Sequence, residues 1–160
     1  TMAQAMLDLR PAGELRGLVV APLSDAAPMP PFEVIAAGHP LPDEASLRAG
    51  KRALELLRSA RPDEDVLFLV SGGGSAMLEQ PAAQGVGLAE LRTLHQALIG
   101  SGADIAAINT VRRHLSAVKG GRLAMAGRGC RRQLTLAISD VPMRPDGSHD
   151  WTSLASGATS

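Results

Sequence analysis

Apolar residues arrive along the chain in two rhythms, and each rhythm predicts a different element. Short continuous runs at residues 17–21, 34–37, 66–70 and 134–138 predict strands buried on both faces. Between them, apolar positions recur at three- and four-residue spacing, as on a helix with one buried face. From Asp43 onward these positions are Leu47, Gly50, Leu54 and Leu57, with Arg48, Lys51, Arg52 and Glu55 spread over the other faces. Asp43 or Ser46 is placed to cap that helix, and Pro62 marks its end. From Leu88, the positions Leu91, Leu94 and Leu98 form a second stripe that stops at Gly100 or Gly102. A third helix is predicted from Ala103 to about Val118, with Gly120-Gly121 breaking or kinking it. A further helix begins in mid-pattern at Met2 without a cap, and residues 154–160 trail off without a closing helix. Ends of this kind set the expectation of a truncated domain, a piece of a larger protein.

Strands alternating with helices, with no tight hairpin signal, predict an α/β domain with a mostly parallel sheet. Ligands of such sheets bind outside the carboxyl ends of the strands. The most polar and glycine-rich ends here are Ser71-Gly72-Gly73-Gly74-Ser75 and Ser139-Asp140. Composition narrows the field of partners. The 160 residues are 45% hydrophobic, which suits one domain with a sizeable core. Sixteen basic residues balance sixteen acidic ones, so the basic excess of a duplex-DNA or anionic-membrane binder is missing. The cluster Arg128, Arg131 and Arg132 is too short to change that, and the expectation is no nucleic acid and no membrane as partner. One cysteine, Cys130, excludes an intramolecular disulfide and any zinc site of several thiolates. No apolar run approaches the roughly 18 residues of a membrane span. Residues 1–9 carry no basic leader, so the expectation is a soluble, cytoplasmic domain.

Two constellations could carry chemistry. In Ser71-Gly72-Gly73-Gly74-Ser75 the glycines allow close backbone approach, their N–H groups can converge on an anion, and the serines add hydroxyls. The bland alternative is a tight turn. No Lys-Ser/Thr pair follows at Walker A spacing, and Met77 stands where a dinucleotide fingerprint wants Gly or Ala, so a phosphate cradle fits better than a nicotinamide site. On the third helix, Asn109, Arg112, Ser116 and Lys119 fall within roughly an 80° arc at about 100° per residue. Ile108, Val111, Leu115 and Val118 occupy the neighbouring arc, which is expected to face the core. Such a donor stripe can grip one anionic ligand, or it can be a solvated face. Asp140, directly after a strand, is placed to hold Mg²⁺ or a catalytic water, or to cap a helix. His39 is a loop residue that orients the turn or contacts a ligand, His114 lies on a helix flank, and His95 is expected on an exposed face. No histidine pair has metal-ligand spacing, and no Gly-x-Ser-x-Gly elbow is present.

Read in order, several segments resemble the glycerate 2-kinases, a family also met as hydroxypyruvate reductase and MOFRL-family protein. The matching pieces are His39-Pro40-Leu41-Pro42-Asp43-Glu44, Val70-Ser71-Gly72-Gly73-Gly74-Ser75-Ala76 and Ser101-Gly102-Ala103-Asp104-Ile105. They continue with Asn109-Thr110-Val111-Arg112-Arg113-His114-Leu115-Ser116-Ala117-Val118-Lys119-Gly120-Gly121 and Leu136-Ala137-Ile138-Ser139-Asp140-Val141. Leu154-Ala155-Ser156-Gly157-Ala158-Thr159 matches more loosely. The resemblance implies a Rossmann-like amino-terminal domain over residues 1–160, part of an enzyme that uses ATP and Mg²⁺ to phosphorylate glycerate to 2-phosphoglycerate. It implies that Ser71, Gly72, Gly73, Gly74 and Ser75 line the phosphate region. Lys119, Arg112 and Asp140 are the implied catalytic residues, with Asp140 at the metal. Asn109, Arg112, Ser116 and His39 are the implied substrate contacts. Small molecules, glycerate and nucleotide, are the expected partners, and a homodimer is left open.

Three departures from the family pattern stand beside these matches. The family's Gly-Lys-Ala segment, with its active-site lysine, would precede Thr1, and its carboxy-terminal domain would follow Ser160. After Val141 the chain has Pro142-Met143-Arg144-Pro145 in place of a Gly-Asp pair, and Ala158 replaces a proline. The expectation is therefore a poorly active fragment. Two other classes remain: a hydride-transferring hydroxypyruvate reductase, against which the missing fingerprint speaks, and a non-catalytic phosphosugar-binding module.

Overall fold

The computed structural model describes residues 1–9, 11, 13–72, 74–138 and 159. The longest helix among the described residues is α2 (Glu44–Arg58), and the sequence explains both its start and its buried face. The Asp43 carboxylate accepts from Ser46 N at 2.8 Å, while Asp43 N donates to Ser46 Oγ at 3.1 Å. Asp43 and Ser46 thus cap the helix together, each satisfying an amide that has no partner inside it. Ala45, Ala49, Gly50, Ala53, Leu54 and Leu57 form one buried face.

Strands β1 (Leu18–Ala21) and β2 (Glu33–Ala36) pair in parallel, Leu18 opposite Glu33 and Ala21 opposite Ala36. Strands β3 (Asp65–Val70) and β4 (Arg132–Ala137) do the same, from Asp65 opposite Arg132 to Val70 opposite Ala137. The α/β class with parallel strands and flanking helices is as expected. Among the described residues, however, the ladders form two separate pairs instead of one continuous sheet. The core lies between α2 and these strands. Ala53, Leu54 and Leu57 meet Val118 and Leu123, with Leu18, Val66, Phe68 and Leu78 packed around them. A second cluster joins Ala37, Ala45 and Met77 to Val20 and Ile35.

The remaining helices are α1 (Met2–Asp8), α3 (Gly74–Met77), α4 (Leu88–Gly100), α5 (Ile105–Leu115) and α6 (Arg122–Ala126). Three expectations need correction. Helix α1 does have a cap: Thr1 Oγ1 accepts from Gln4 N at 3.2 Å. Helix α5 ends at Leu115, before Val118, because Ser116 turns extended and bridges to Pro81. The short helices α3 and α6 have no apolar period long enough to announce them. Finally, β4 is not buried on both faces. Leu134, Leu136 and Ile138 are 59%, 46% and 59% exposed, and Leu67 on β3 shares that face. The opposite face of β3, Val66 and Phe68, packs against α2, and among the described residues no second layer covers the outer one.

Candidate active site

The carboxyl end of β3 runs into Ser71 and Gly72 and then, past Gly73, into α3. Ser71 is exposed, while Gly72, Gly74 and Ser75 are half-buried. Gly73, Ser139 and Asp140 lie outside the described residues, so neither the full glycine loop nor the proposed metal ligand can be placed. His39 is exposed in the loop after β2. That loop is tied to α4, where Arg92 Nε donates to Pro42 O at 2.8 Å.

Beyond α3 the chain makes a contact that the sequence reading missed. Glu79, immediately after the apolar stretch Ala76-Met77-Leu78, is only 2% exposed, and Lys119 only 1%. Lys119 Nζ donates to Glu79 Oε2 at 2.5 Å and to Leu78 O at 3.2 Å. Ser116 Oγ donates to Glu79 Oε1 at 2.5 Å, and Gln80 N donates to the same oxygen at 2.9 Å. Backbone bonds close the junction: Ala82 N to Leu115 O at 2.9 Å and Ala117 N to Gln80 O at 2.7 Å. Glu79 N donates to Ser46 O at 3.1 Å, which adds α2 to the same knot. Each oxygen of the carboxylate therefore has a donor, which a buried charge requires.

Of the donor stripe, Asn109 on α5 and Ser116 and Lys119 beyond its end are buried. Of the apolar arc, Ile108 and Val118 are buried as expected, whereas Val111 and Leu115 are exposed. Ser116 and Lys119 take interior positions because Glu79 satisfies them. Arg112 is half-buried, and its Nε is buried without a hydrogen-bond partner among the described residues. Burial pushes the Arg112 pKa down, and the charge of Glu79 opposes that shift. His95, expected on the surface, is 3% exposed, and its Nδ1 also has no partner among the described residues. Burial, then the charge of Arg112, pulls the His95 pKa below its ordinary value, so the ring is held neutral. Lys119 is lowered too, by burial first, with Glu79 pulling the other way. His114 is exposed as foreseen, its Nδ1 2.8 Å from Thr110 O.

The structure thus joins the segment after the glycine loop to the segment from Asn109 to Lys119. A family profile described as "Domain of unknown function (DUF4147)" matches residues 1–160. The chain belongs to this family. It is 45% identical over 124 residues to the D-glycerate 2-kinase of Thermotoga maritima, a match covering 77% of this chain and 30% of that protein. It is 41% identical over 158 residues to an Agrobacterium vitis protein that carries a hydroxypyruvate reductase name, covering 99% of this chain and 34% of the relative. The crystal structure of glycerate kinase from Thermotoga maritima superimposes with a TM-score of 0.79 at 42% identity, covering 90% of this chain and 33% of that one. The chain spans about a third of the length of these relatives.

Within this DUF4147 chain, Glu79 is the residue that sequence reasoning left out, and His95 the one it placed on the surface. Glu79 had a signal. The chain holds two lysines, and one of them, Lys119, sits in an apolar stretch, as does Glu79. Two opposite charges in apolar runs invite each other. His95 had one as well: four residues after Leu91 and three before Leu98, it falls on the apolar stripe of α4.

Proposed function

We propose that the protein carrying this chain is an ATP-dependent glycerate 2-kinase, and that residues 1–160 are part of its amino-terminal domain. One observation supports this reading most. The segment that follows the glycine loop and the motif from Asn109 to Lys119 are zipped together around Glu79 in a chain 45% identical to a D-glycerate 2-kinase. In the reaction the 2-hydroxyl oxygen of glycerate bonds to the transferred phosphorus, ADP leaves with its old oxygen, and the hydroxyl proton is released. Phosphoryl transfer needs positioning and charge stabilisation more than covalent help.

In this reading the backbone amides of Ser71, Gly72, Gly73, Gly74 and Ser75 cradle phosphate. Arg112 supplies the positive charge, since its Nε is a buried donor with no protein partner among the described residues. Asn109 and His39 contact substrate, and Ser116 and Lys119 act from behind through Glu79. An Mg²⁺ ion held by Asp140 belongs to the same reading. No group of three or more His, Cys, Asp or Glu able to hold a metal occurs among the described residues, and Mg²⁺ commonly takes only one or two carboxylates beside substrate phosphates, so Asp140 is the protein ligand this reading assigns.

The test is product analysis on the full-length protein. With ATP, Mg²⁺ and D-glycerate, ³¹P NMR should show 2-phosphoglycerate and ADP. Oxidation of NADH with hydroxypyruvate, and no phosphorylation, would replace the kinase by the reductase. Nucleotide binding without either turnover would leave a binding module.

A further inference from the structure

We propose that Glu79 is a positioning residue. Held by Ser116 and Lys119, it fixes the last turn of α5 and so aims the Arg112 guanidinium, a role that rests on the kinase reading for the identity of the anion Arg112 meets. Lys119 is then the counter-ion of Glu79 and not a ligand of substrate.

Geometry carries this assignment. Both carboxylate oxygens are occupied, Oε1 by Ser116 Oγ and Gln80 N, Oε2 by Lys119 Nζ. Lys119 gives a second hydrogen bond to Leu78 O and is 1% exposed, so its ammonium is already engaged inside the protein. The Glu79 and Lys119 charges cancel each other, which leaves the guanidinium of Arg112 as the uncancelled charge beside them. Arg112 lies in the last turn of α5, four residues before Ser116, the extended residue at which that helix ends. Ser116 is fixed by Glu79, and the flanking Leu115 and Ala117 are fixed by backbone bonds to Ala82 and Gln80. Any drift of the carboxylate is passed to Arg112 through that turn.

Charge balance points the same way. The ionisable groups whose charges act on Lys119 are Glu79 and Arg112 from α5, and all three act in turn on the neutral ring of His95 from α4. Without the carboxylate, Lys119 and Arg112 become like charges in a buried setting beside a neutral ring. The ammonium, already lowered by burial, then loses the partner that held its pKa up and is lowered further.

The experiment compares the full-length wild type with Glu79→Gln and with the double variant Glu79→Gln/Lys119→Met, which removes both charges together. Steady-state kinetics across pH 6–9 would be read beside the Arg112 Nε–H NMR signal, a readout that does not depend on turnover. Glu79→Gln should lower kcat at least about tenfold with KM for glycerate little changed, and should add a new ionisation to the pH profile. In the double variant kcat should return to within about threefold, and the Arg112 signal, displaced by Glu79→Gln, should return to its wild-type position. A folded double variant as slow as Glu79→Gln would overturn the inference and make Lys119 a direct ligand. An Arg112 signal unmoved in Glu79→Gln would overturn it as well, even if the wild type proved not to phosphorylate glycerate. Absence of product with wild type, together with a displaced and restored signal, would remove the kinase reading and keep the positioning role.

Discussion

Asp43 caps α2 through a carboxylate with several donors, and its charge state is part of the helix. Burial alone would raise its pKa, but the amides of Ser46, Gly38 and Ala45 and the hydroxyl of Ser46 outweigh that, and the net shift is downward from 3.8. The folded chain therefore gives up this proton more readily than the unfolded one. The stabilisation is complete above about pH 3.8 and is lost as the pH falls below it. Asp43→Ala should cost about 1 kcal/mol in urea unfolding at pH 7, a difference that shrinks toward pH 3. His95 acts earlier on the acid side. Its folded pKa is lowered from 6.5, so below that pH the unfolded state takes up the proton first and stability declines. His95→Gln should flatten the slope of the urea midpoint between pH 7 and 5. Arg112 and Lys119, adjacent in the sequence pattern, should separate in experiment. Arg112→Ala should keep the fold and lose about 2.7–4 kcal/mol of transition-state stabilisation, read from kcat/KM. Lys119→Met alone leaves the Glu79 carboxylate buried and unpaired, so it should lose about 3–5 kcal/mol of stability in a denaturant melt.

Helix α2 and the end of α5 mark how far periodicity reaches. The stripe Leu47, Gly50, Leu54 and Leu57 announced α2 correctly because its cap and its apolar face lie in consecutive sequence. Gly50 belongs to the stripe for a reason the sequence conceals. A Cβ there would overlap the carbonyl oxygen of Glu79 and stand 2.6 Å from its carbonyl carbon. Gly50→Ala removes a helix-interior glycine, a change worth about 1 kcal/mol in an isolated helix. Here it should instead destabilise by about 1–3 kcal/mol and slow turnover, since it pushes on the backbone that carries Glu79. Thermal melting and kcat of the same variant check both parts. Helix α5 shows the opposite case. Its 80° donor arc held only for Asn109 and Arg112, since α5 ends before Ser116 and Lys119, and of the apolar seam Ile108 and Val118 reach the core while Val111 and Leu115 do not. Partners at long range decided the rest. The buried carboxylate of Glu79 lies 37 and 40 residues from Ser116 and Lys119.

Two parallel ladders share α2 as cover, but only one face of the β3–β4 pair is used. Leu67, Leu134, Leu136 and Ile138 leave an apolar face open among the described residues, and exposed apolar surface of this kind binds hydrophobic dyes and promotes association. The 160 residues expressed alone should therefore bind ANS strongly while folded, and Leu134→Thr/Ile138→Thr should reduce that fluorescence without lowering the urea midpoint. Equal fluorescence from both would mean that the face is covered. The ionic decoration of the same sheet is of less consequence. Arg131 and Arg132 both reach Asp65, at 2.8 and 2.6 Å, and hold its carboxyl far below the usual range. All three side chains stand in solvent, where such pairs contribute little to stability.

Strands, their parallel class, the caps of α2 and the family resemblance were all legible in the order of residues. Each depends on neighbours within a few positions or on a local motif, and local preference acts before the chain closes on itself. The extended turn at Ser116 and the pairing of Glu79 with Lys119 were not. They arise where segments some 40 residues apart meet, and a charge buries only when its partner arrives from elsewhere. Hydropathy therefore placed the elements and the polar stripe, while the tertiary contacts decided that Lys119 faces a carboxylate and that the Nε of Arg112 is buried without a partner among the described residues.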